Sequence, residues 1–365
     1  MHRPQTGNPT PPAAAIPAPI SIPKSYPNGN PNAAYNPPGL HNTDSCLPRH
    51  PVEVVHNYVC DGPAPGDIAF RWIHGSVCAA TDSDPRIQIV TYNEDTYILR
   101  ENPSIHWEAP FTYLLFGNAG ALLIDTGATP EAEFYPLRTT VDALITRWAK
   151  IRGRKKVPLT VVLTSGEDLA QNQGLVQFAG RPDTTLAPTS LAGTKQFYKL
   201  STAWPGGTGT IDLGGRVLDV IPTPGTHKDG ITFYDSYNRF LYTGDLLYPG
   251  RIQIANDRDY IASLNRLQQW TASHPLKWLM GGHVEMMFIP GRAYPRFRNY
   301  RPYEHTLELD AAILPEALQY ATAIAGQSKV VFRSEFILLN RVGPDEQVYR
   351  VSPDMPNINV PFWLP

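Results

Sequence analysis

Four side chains able to transfer protons or bind metals occupy loops that follow or separate predicted β-strands in this 365-residue chain. They are two carboxylates and two imidazoles: Asp168, His227, Asp245 and His283. Carboxylate and imidazole groups act as general acids and bases, and they are also ligands of first-row metal ions. Loops of this kind commonly carry catalytic and binding residues. The residue types therefore favour acid–base chemistry or a metal site, and the surrounding elements decide which side chains meet.

Alternating and apolar segments predict two groups of strands, each followed by amphipathic helices. The first group of strands spans 87–91, 97–100, 112–117, 121–125 and 158–164. The second group spans 208–212, 216–221, 230–235 and 239–243, and later strands are predicted at 277–280 and 329–339. Helical periodicity covers 131–151, 257–273 and 308–326. This order predicts an α+β fold in which two sheets pack face to face with helices outside, an αββα sandwich.

The composition is that of a globular chain, with 42% hydrophobic and 18% charged residues, enough to bury a sizeable core. The formal net charge of −2 gives no electrostatic reason to expect nucleic acid or an anionic membrane as a partner. No segment approaches the roughly 20 apolar residues of a membrane-spanning helix, and the first residues do not resemble a secretory signal. We therefore expect a cytoplasmic protein whose partner is a small-molecule ligand or substrate.

Proline is concentrated at the start of the chain, where twelve of the 37 prolines lie within the first fifty residues. Because proline lacks a backbone N–H and fixes φ, this segment cannot form helices or strand ladders. We expect residues 1–80 to be an extended arm and lead-in, either loose or strapped over its own domain or over a neighbouring subunit in a homo-oligomer. The predicted domain covers 81–343 and is followed by a tail at 344–365.

Four motifs, in matching order and spacing, resemble those of metallo-β-lactamase-fold hydrolases. Residues 125–127 (DTG) resemble the Asp-x-Gly that ends the opening hairpin, and 221–225 (IPTPG) resemble the "TPGH" loop. Residues 241–245 (LYTGD) resemble the "GD" motif, and 280–283 (MGGH) resemble the closing "GH" motif. Each motif is short, but the ordered set covers roughly residues 86–305. The resemblance implies the αββα sandwich of these hydrolases, preceded here by a Pro-rich arm.

The resemblance also implies an ancestral chemistry. This family carries a dinuclear metal site, usually zinc, that lowers the pKa of bound water and polarises the carbonyl of an ester, thioester or lactam. Its ligands come from an H-x-H-x-D-H loop, the His of the "TPGH" loop, the Asp of "GD" and the closing His. The resemblance places Asp245 and His283 at the last two of these positions. The "TPGH" histidine position holds Thr226, and His227 is the next residue.

The loop that should supply most of the metal ligands, 165–174 (SGEDLAQNQG), contains no histidine. If the alignment with the family is anchored on Gly174, the four ligand positions are Gly166, Asp168, Ala170 and Gln171. If it is anchored on Thr164, they are Ser165, Glu167, Leu169 and Ala170. Gly, Ala and Leu side chains cannot bind a metal ion, and a stable site needs three or four converging donors. We therefore predict that the dinuclear site is lost and that no metal cofactor is bound.

Three functions remain open for such a chain. The first is a pseudoenzyme, in which the hydrolase scaffold is kept for binding or assembly. The second is a metal-independent catalyst in which Asp245 orients His283 as a general base. A further acid or base would then come from Glu167, Asp168 or His227.

The third is a mononuclear metal hydrolase of an ester, thioester or lactam, holding one Zn, Mn or Fe ion. Its ligands would be Asp168, His227, Asp245 and His283. The pocket around these side chains is predicted to include Ser165, Glu167, Gln171, Thr226 and Arg251. Ser165 lacks the G-x-S-x-G motif of an activated nucleophile. Arg251 is a candidate to bind an acidic substrate, or else to tie a loop to the domain.

Overall fold

The computed structural model of the protein describes residues 55–59, 62–69, 71–200 and 203–343. The predicted tail at 344–365 and most of the predicted N-terminal arm lie outside the described residues. No helix within the described segments is long and apolar enough to cross a membrane.

Six strands form the first sheet. They are β1 (Ile87–Asn93), β2 (Thr96–Glu101), β3 (Phe111–Phe116), β4 (Ala121–Ile124), β5 (Leu159–Val162) and β6 (Thr184–Leu186). Strands β1 to β4 pair antiparallel in chain order, whereas β4, β5 and β6 pair parallel. Parallel neighbours need crossover connections, and these contain helices α1 (Leu137–Ile151) and α2 (Leu169–Asn172). A 3₁₀ turn (Gln173–Phe178) continues α2.

The second half of the chain supplies two more sheets. Helix α3 (Leu191–Phe197) precedes the strands β7 (Gly209–Asp212), β8 (Val217–Pro222), β9 (Ile231–Asp235), β10 (Phe240–Gly244), β11 (Arg251–Ile254), β12 (Trp278–Gly281), β13 (Glu308–Leu309), β14 (Lys329–Phe332) and β15 (Ile337–Asn340). Helices α4 (Asp257–Thr271) and α5 (Ile313–Ala323) lie between them. The second sheet has the order β13-β12-β10-β9-β8-β7, and a small third sheet has the order β11-β15-β14. Within the second sheet β10 and β12 run parallel, so their carboxyl ends meet at one edge.

The two larger sheets face each other across one apolar core. Ile98 of the first sheet is buried in the same cluster as Val220 and Phe233 of the second. Helix α1 covers the other face of the first sheet, where the rings of Trp148 and Phe116 stack with centroids 4.7 Å apart. Helices α4 and α5 cover the other face of the second sheet. These layers confirm the predicted α+β class and αββα sandwich.

Three predicted elements differ from the observed ones for physical reasons. The helix predicted at 131–151 begins only with α1, because Pro136 has no N–H and disfavours a helical residue before it. The helix predicted at 308–326 is shorter, since its first residues form β13 and pair with β12. The strand predicted at 329–339 is a hairpin of two antiparallel strands, β14 and β15. The sequence does not predict the short elements β6, β11, α2 and α3.

Part of the predicted lead-in is described and contacts the sandwich. The backbone N–H of Ala64 donates a hydrogen bond to the Tyr237 carbonyl over 2.7 Å. The N–H of Asp67 donates to the Tyr92 carbonyl over 3.0 Å, and Trp72 belongs to the core between the sheets. The domain boundary at residue 80 stays a prediction.

Arg216 links the two sheets through a fully buried guanidinium. Its Nη2 forms an ion pair with Asp235 Oδ2 at 2.5 Å and also donates to Thr96 Oγ1 at 3.0 Å. Its Nη1 donates to the backbone carbonyls of Asp95 and Phe116 over 2.7 and 3.1 Å. Because both charges of the pair are out of water, each one depends on the other.

Replacing Arg216 should therefore destabilise the fold strongly. We expect Arg216→Ala to lower the free energy of unfolding by about 3–5 kcal/mol, because the Asp235 carboxylate stays buried without its counter-ion. Urea unfolding followed by circular dichroism measures this. The control Arg341→Ala, which breaks an exposed pair with Asp257, should cost at most about 1 kcal/mol. Equal losses in both variants would contradict the linking role of Arg216.

Candidate functional site

A cavity of about 200 Å³ lies at the edge where β10 and β12 end. Three of the four side chains predicted to carry chemistry line it, namely His227, Asp245 and His283. Of the residues predicted for the pocket, Thr226 and Arg251 also line the cavity. The structure thus brings together side chains from three separate loops of the second half of the chain.

Glycines at the two strand ends let these loops approach each other. A Cβ on Gly282 would lie 2.8 Å from Asp245 Oδ1 and 2.7 Å from Gln171 Nε2, closer than side-chain atoms tolerate. Gly244 has a φ of 51°, and a Cβ there would collide with the Thr164 hydroxyl. The backbone N–H of Gly282 donates to the Gly244 carbonyl over 3.0 Å. The glycines therefore permit the close packing that sets the carboxylate beside the imidazole.

Asp245 and His283 form a buried ion pair. Asp245 Oδ1 lies 3.3 Å from His283 Nδ1, and the His283 ring packs against the Tyr248 ring with centroids 4.2 Å apart. Burial by itself would raise the pKa of Asp245, but the positive His283 outweighs it and lowers the pKa to about 2. Burial likewise opposes the imidazolium, but Asp245 and then two glutamates raise the pKa of His283 to about 9. Both groups are therefore charged at neutral pH.

Asp168 and Gln171 complete the surroundings of Asp245. Gln171 Nε2 donates a hydrogen bond to Asp245 Oδ1 over 2.7 Å. Asp168 caps α2 by accepting from the Ala170 N–H over 2.9 Å. Burial raises the pKa of Asp168 well above its usual range, and the Asp245 charge raises it further. Asp168 and Gln171, the two loop neighbours of Asp245, are both ligand positions of the alignment anchored on Gly174.

A chain of hydrogen bonds orients the Gln171 amide. The Thr164 N–H donates to Asp125 Oδ1 over 2.7 Å, and the Thr164 hydroxyl lies 2.9 Å from Asp125 Oδ2. The same hydroxyl contacts Gln171 Oε1. Burial raises the pKa of Asp125 to about 8, although the Thr164 hydroxyl and backbone N–H both donate to its carboxyl group. Gln171 Oε1 is turned towards the Thr164 hydroxyl, which leaves the amide N–H facing Asp245.

Ser165 and Glu167, the other two loop residues predicted for the pocket, have partners elsewhere. Ser165 Oγ donates a hydrogen bond to Asp229 Oδ1 over 2.7 Å. Glu167 forms a partly exposed ion pair with Lys228 at 2.5 Å. Neither side chain lines the cavity. The roles predicted for them are therefore not supported by any contact with the buried ion pair.

Arg251 is bound to the protein on several sides. Its Nη2 pairs with Glu285 Oε1 at 3.0 Å, its backbone N–H donates to Glu285 Oε2 over 2.8 Å, and its Nη1 donates to the Tyr294 carbonyl over 2.5 Å. Burial would raise the pKa of Glu285, but the Arg251 charge outweighs it and lowers the pKa. Glu285 Oε1 also lies 3.9 Å from His283 Nε2. These contacts match the interpretation of Arg251 as a loop tie, and they place a second carboxylate beside the imidazolium.

The side chains of the cavity that sequence reasoning misses include Glu108, Tyr248 and Glu285, as well as Gln253 and Leu339. The signal for Glu285 is available, because it is a charged residue two positions after His283 in an apolar segment. Glu108 has no such signal, since it belongs to the loop between β2 and β3 in the first half of the chain. Burial raises the pKa of Glu108, against the opposing positive charge of His283.

The ion pair makes part of the stability depend on pH. The pKa of His283 is raised from 6.5 to about 9, so its contribution is complete below 6.5 and is lost as the pH rises through 9. We expect His283→Gln to lower the free energy of unfolding by up to about 3 kcal/mol at mildly acidic pH, and by steadily less towards high pH. Urea unfolding at several pH values measures this difference.

The control for that experiment is His305→Gln, because His305 lies outside the cavity and its Nδ1 is 2.8 Å from the neighbouring Thr306 carbonyl, away from any described carboxylate that pairs with His283. The unfolding free energy of this control should follow that of the wild type at every pH. A loss for His283→Gln that is the same from mildly acidic to alkaline pH would contradict the charged pair.

Comparison with known protein sequences gives one family and one curated relative. The profile of the Metallo-beta-lactamase superfamily matches residues 106–327, which is more than half of the chain. An acyl-coenzyme A thioesterase, MBLAC2 of Gallus gallus, is 31% identical over 94 residues. This match spans 25% of the present chain and 34% of the relative, so the chain covers about a third of the length of that curated protein.

Solved structures with similar folds include other members of this superfamily. A metallo-beta-lactamase from Pontibacter korlensis is 19% identical with a TM-score of 0.43, covering 65% of this chain and 99% of that one. An archaeal metallo-beta-lactamase superfamily protein from Sulfolobus tokodaii is 15% identical with a TM-score of 0.37, covering 61% of this chain and 84% of that one.

Proposed function

The chain belongs to the metallo-β-lactamase superfamily, and we propose that it is a divergent member that has lost the dinuclear zinc site. In this proposal the cleft binds a small molecule without a metal ion, so the protein is a pseudoenzyme built on a hydrolase scaffold. One observation carries the proposal, namely the hydrogen bond from the Gln171 amide to the Asp245 carboxylate.

An amide N–H and a metal ion compete for the same oxygen lone pairs. Gln171 Nε2 lies 2.7 Å from Asp245 Oδ1, and its hydrogen carries a positive partial charge that repels a cation at that oxygen. The imidazolium of His283, 3.3 Å from the same oxygen, supplies the positive charge that a metal would otherwise supply. The Asp245 carboxylate is therefore satisfied by groups of the protein itself.

Few side chains are placed to act as ligands of a second metal ion. Gly166 and Ala170 carry no side-chain donor atom, and the Ser165 hydroxyl is bonded to Asp229. Across the segments that the structure describes, no three His, Cys, Asp or Glu side chains converge in a way that would hold a metal ion. The residues present do not fit the dinuclear zinc pair, and the absence of a bound metal stays a prediction.

The same ion pair is poorly suited to general-base catalysis. His283 is only 2% exposed and keeps its proton up to about pH 9, so it does not accept a proton from a substrate at neutral pH. Ser165, the serine of the candidate loop, bonds to Asp229 instead of His283. These contacts favour ligand binding over metal-independent catalysis.

A mononuclear hydrolase is the second candidate. Its support is the meeting of Asp245 and His283 with Asp168 beside them and His227 on the same cavity. A metal at these four residues would have to displace the Gln171 amide and the proton of His283. If bound, it would supply a Lewis acid for a carbonyl such as a thioester. The partial similarity to a protein named acyl-coenzyme A thioesterase agrees with that substrate class.

Metal content decides between the two candidates. We expect inductively coupled plasma mass spectrometry of the full-length protein, purified without chelator, to find well below one equivalent of Zn, Mn or Fe. Incubation with Zn²⁺ or Mn²⁺ followed by desalting should not change this, because the Gln171 amide and the His283 proton oppose binding. His305→Gln serves as a control for adventitious binding by an exposed imidazole.

About one equivalent of metal in the wild type would overturn the pseudoenzyme proposal. If that metal is kept by His305→Gln and lost from both His227→Gln and His283→Gln, the mononuclear site is the correct interpretation. Two equivalents would show that the dinuclear site has been rebuilt from other donors.

A further inference from the structure

The cavity wall provided by the loop between β2 and β3 carries a carboxylate, Glu108, that accepts no hydrogen bond from the described residues. The Glu108 side chain is 21% exposed and lines the cavity together with Asp245 and His283. Among the described residues, no N–H or O–H group donates a hydrogen bond to its carboxylate. His106 Nδ1 lies 3.8 Å from Glu108 Oε2, but this nitrogen accepts from the Glu108 backbone N–H over 3.3 Å and is therefore not a donor.

The other two carboxylates of the cavity already have partners. Asp245 accepts from Gln171 and lies beside the imidazolium of His283. Glu285 is paired with Arg251 at 3.0 Å and also accepts its backbone N–H. A half-buried carboxylate without a donor costs free energy that a donor on a ligand would recover. Glu108 is thus the carboxylate through which the cavity is able to recognise a ligand.

An aromatic wall adjoins this carboxylate. Trp107 and Tyr248 line the cavity, and Trp107 contacts the ring of Phe297 with centroids 5.0 Å apart. The Arg296 guanidinium lies 5.3 Å from the Trp107 centroid and 5.3 Å from that of Phe297. Indole faces attract cations, and this stack is an example within the protein. Phe297 is 68% exposed, which puts the stack at the rim of the cavity.

We propose that Glu108 and Trp107 form a recognition site for the ammonium group of a small organic amine that carries an apolar or aromatic body. The ammonium would donate to the Glu108 carboxylate, and the body would pack on Trp107 and Tyr248. An anionic group at the same place would face the Glu108 carboxylate, whereas the charges of Asp245 and Glu285 are already paired with His283 and Arg251. This inference names the ligand class of the cleft and rests on the proposed function, since a metal ion would change the charge of the cavity.

Three probes of equal shape and different charge test the proposal. Benzylamine, benzyl alcohol and benzoate share one ring and carry a positive, a neutral and a negative group at neutral pH. Binding to the full-length protein is measured by isothermal titration calorimetry and ligand-observed NMR, with metal content measured on the same sample. We expect benzylamine to bind about tenfold or more tightly than benzyl alcohol, and benzoate to bind least, because a charged donor on a carboxylate is worth that much.

Two variants test whether Glu108 and Trp107 cause the expected preference for benzylamine. Glu108→Gln should bind benzylamine no more tightly than benzyl alcohol, whereas the control Glu133→Gln, at an exposed glutamate outside the cavity, should keep the wild-type preference. Trp107→Leu should weaken the binding of benzylamine and benzyl alcohol alike, because both lose the indole surface.

The proposal is overturned if benzoate binds as well as benzylamine, if Glu108→Gln keeps the amine preference, or if none of the three probes binds. A metal-free protein with any of these results would lose the amine site and keep the proposed function. A sample that holds one equivalent of metal would instead remove the proposed function, whatever the probes do.

Discussion

The carboxylate of Asp245 is ionised although only 18% of its side chain is exposed, and the surrounding loops are arranged to keep it so. It accepts a hydrogen bond from the Gln171 amide and lies 3.3 Å from the imidazolium of His283. Burying a charge is costly unless it is paired and hydrogen-bonded. The loops after β5, β10 and β12 therefore have to meet within hydrogen-bond distance, and Gly244 and Gly282 are the positions at which a side chain would prevent that meeting.

The ion pair between Asp245 and His283 affects the ionisation of the carboxyl groups around it. Burial raises the pKa values of both Asp168 and Asp125, and the negative charge of Asp245 raises them further. Glu285 stays ionised because Arg251 accompanies it. Asp245 and Glu285 are therefore each accompanied by a positively charged side chain, whereas Asp168 Oδ2 and His283 Nδ1 have no hydrogen-bond partner among the described residues. A metal ion would have to displace several of these groups at once, whereas a ligand in the cavity needs to displace none of them.

The loop between β2 and β3 forms another wall of the cavity, and its carboxylate has no positively charged partner among the described residues. Glu108 has no donor from the described residues, and the adjoining Trp107 presents an aromatic face to the same space. In the proposed function the chain has kept the cleft at the strand ends. The cleft binds a ligand through Glu108 and Trp107 and no longer holds a metal pair beside Asp245.

The sequence predicts the fold well because its short motifs lie at the ends of strands whose apolar patterns are clear. The resemblance to the "GD" and "GH" motifs singles out Asp245 and His283, which the structure brings within 3.3 Å of each other. The sequence leaves two alignments of the loop at 165–174 open, one anchored on Gly174 and one on Thr164. The hydrogen bond from Gln171 to Asp245 favours the alignment anchored on Gly174, in which Gln171 is a ligand position.

What the sequence misses depends on contacts between distant segments. Glu108 reaches the site because β2 and β3 carry their loop to the edge where the second sheet ends, and no local pattern encodes that. β13 forms in a segment with helical periodicity because its backbone pairs with β12. In both cases a tertiary contact outweighs the local pattern.

The most direct measurement is the protonation of the His283 ring by nitrogen-15 NMR, with the signals assigned by their absence in His283→Gln. At about pH 8 we expect both ring nitrogens to carry protons, and we expect no change when zinc is added, because Asp245 holds the imidazolium in place. A ring nitrogen that loses its proton and shifts on addition of zinc would contradict the claim that protein groups have replaced the metal.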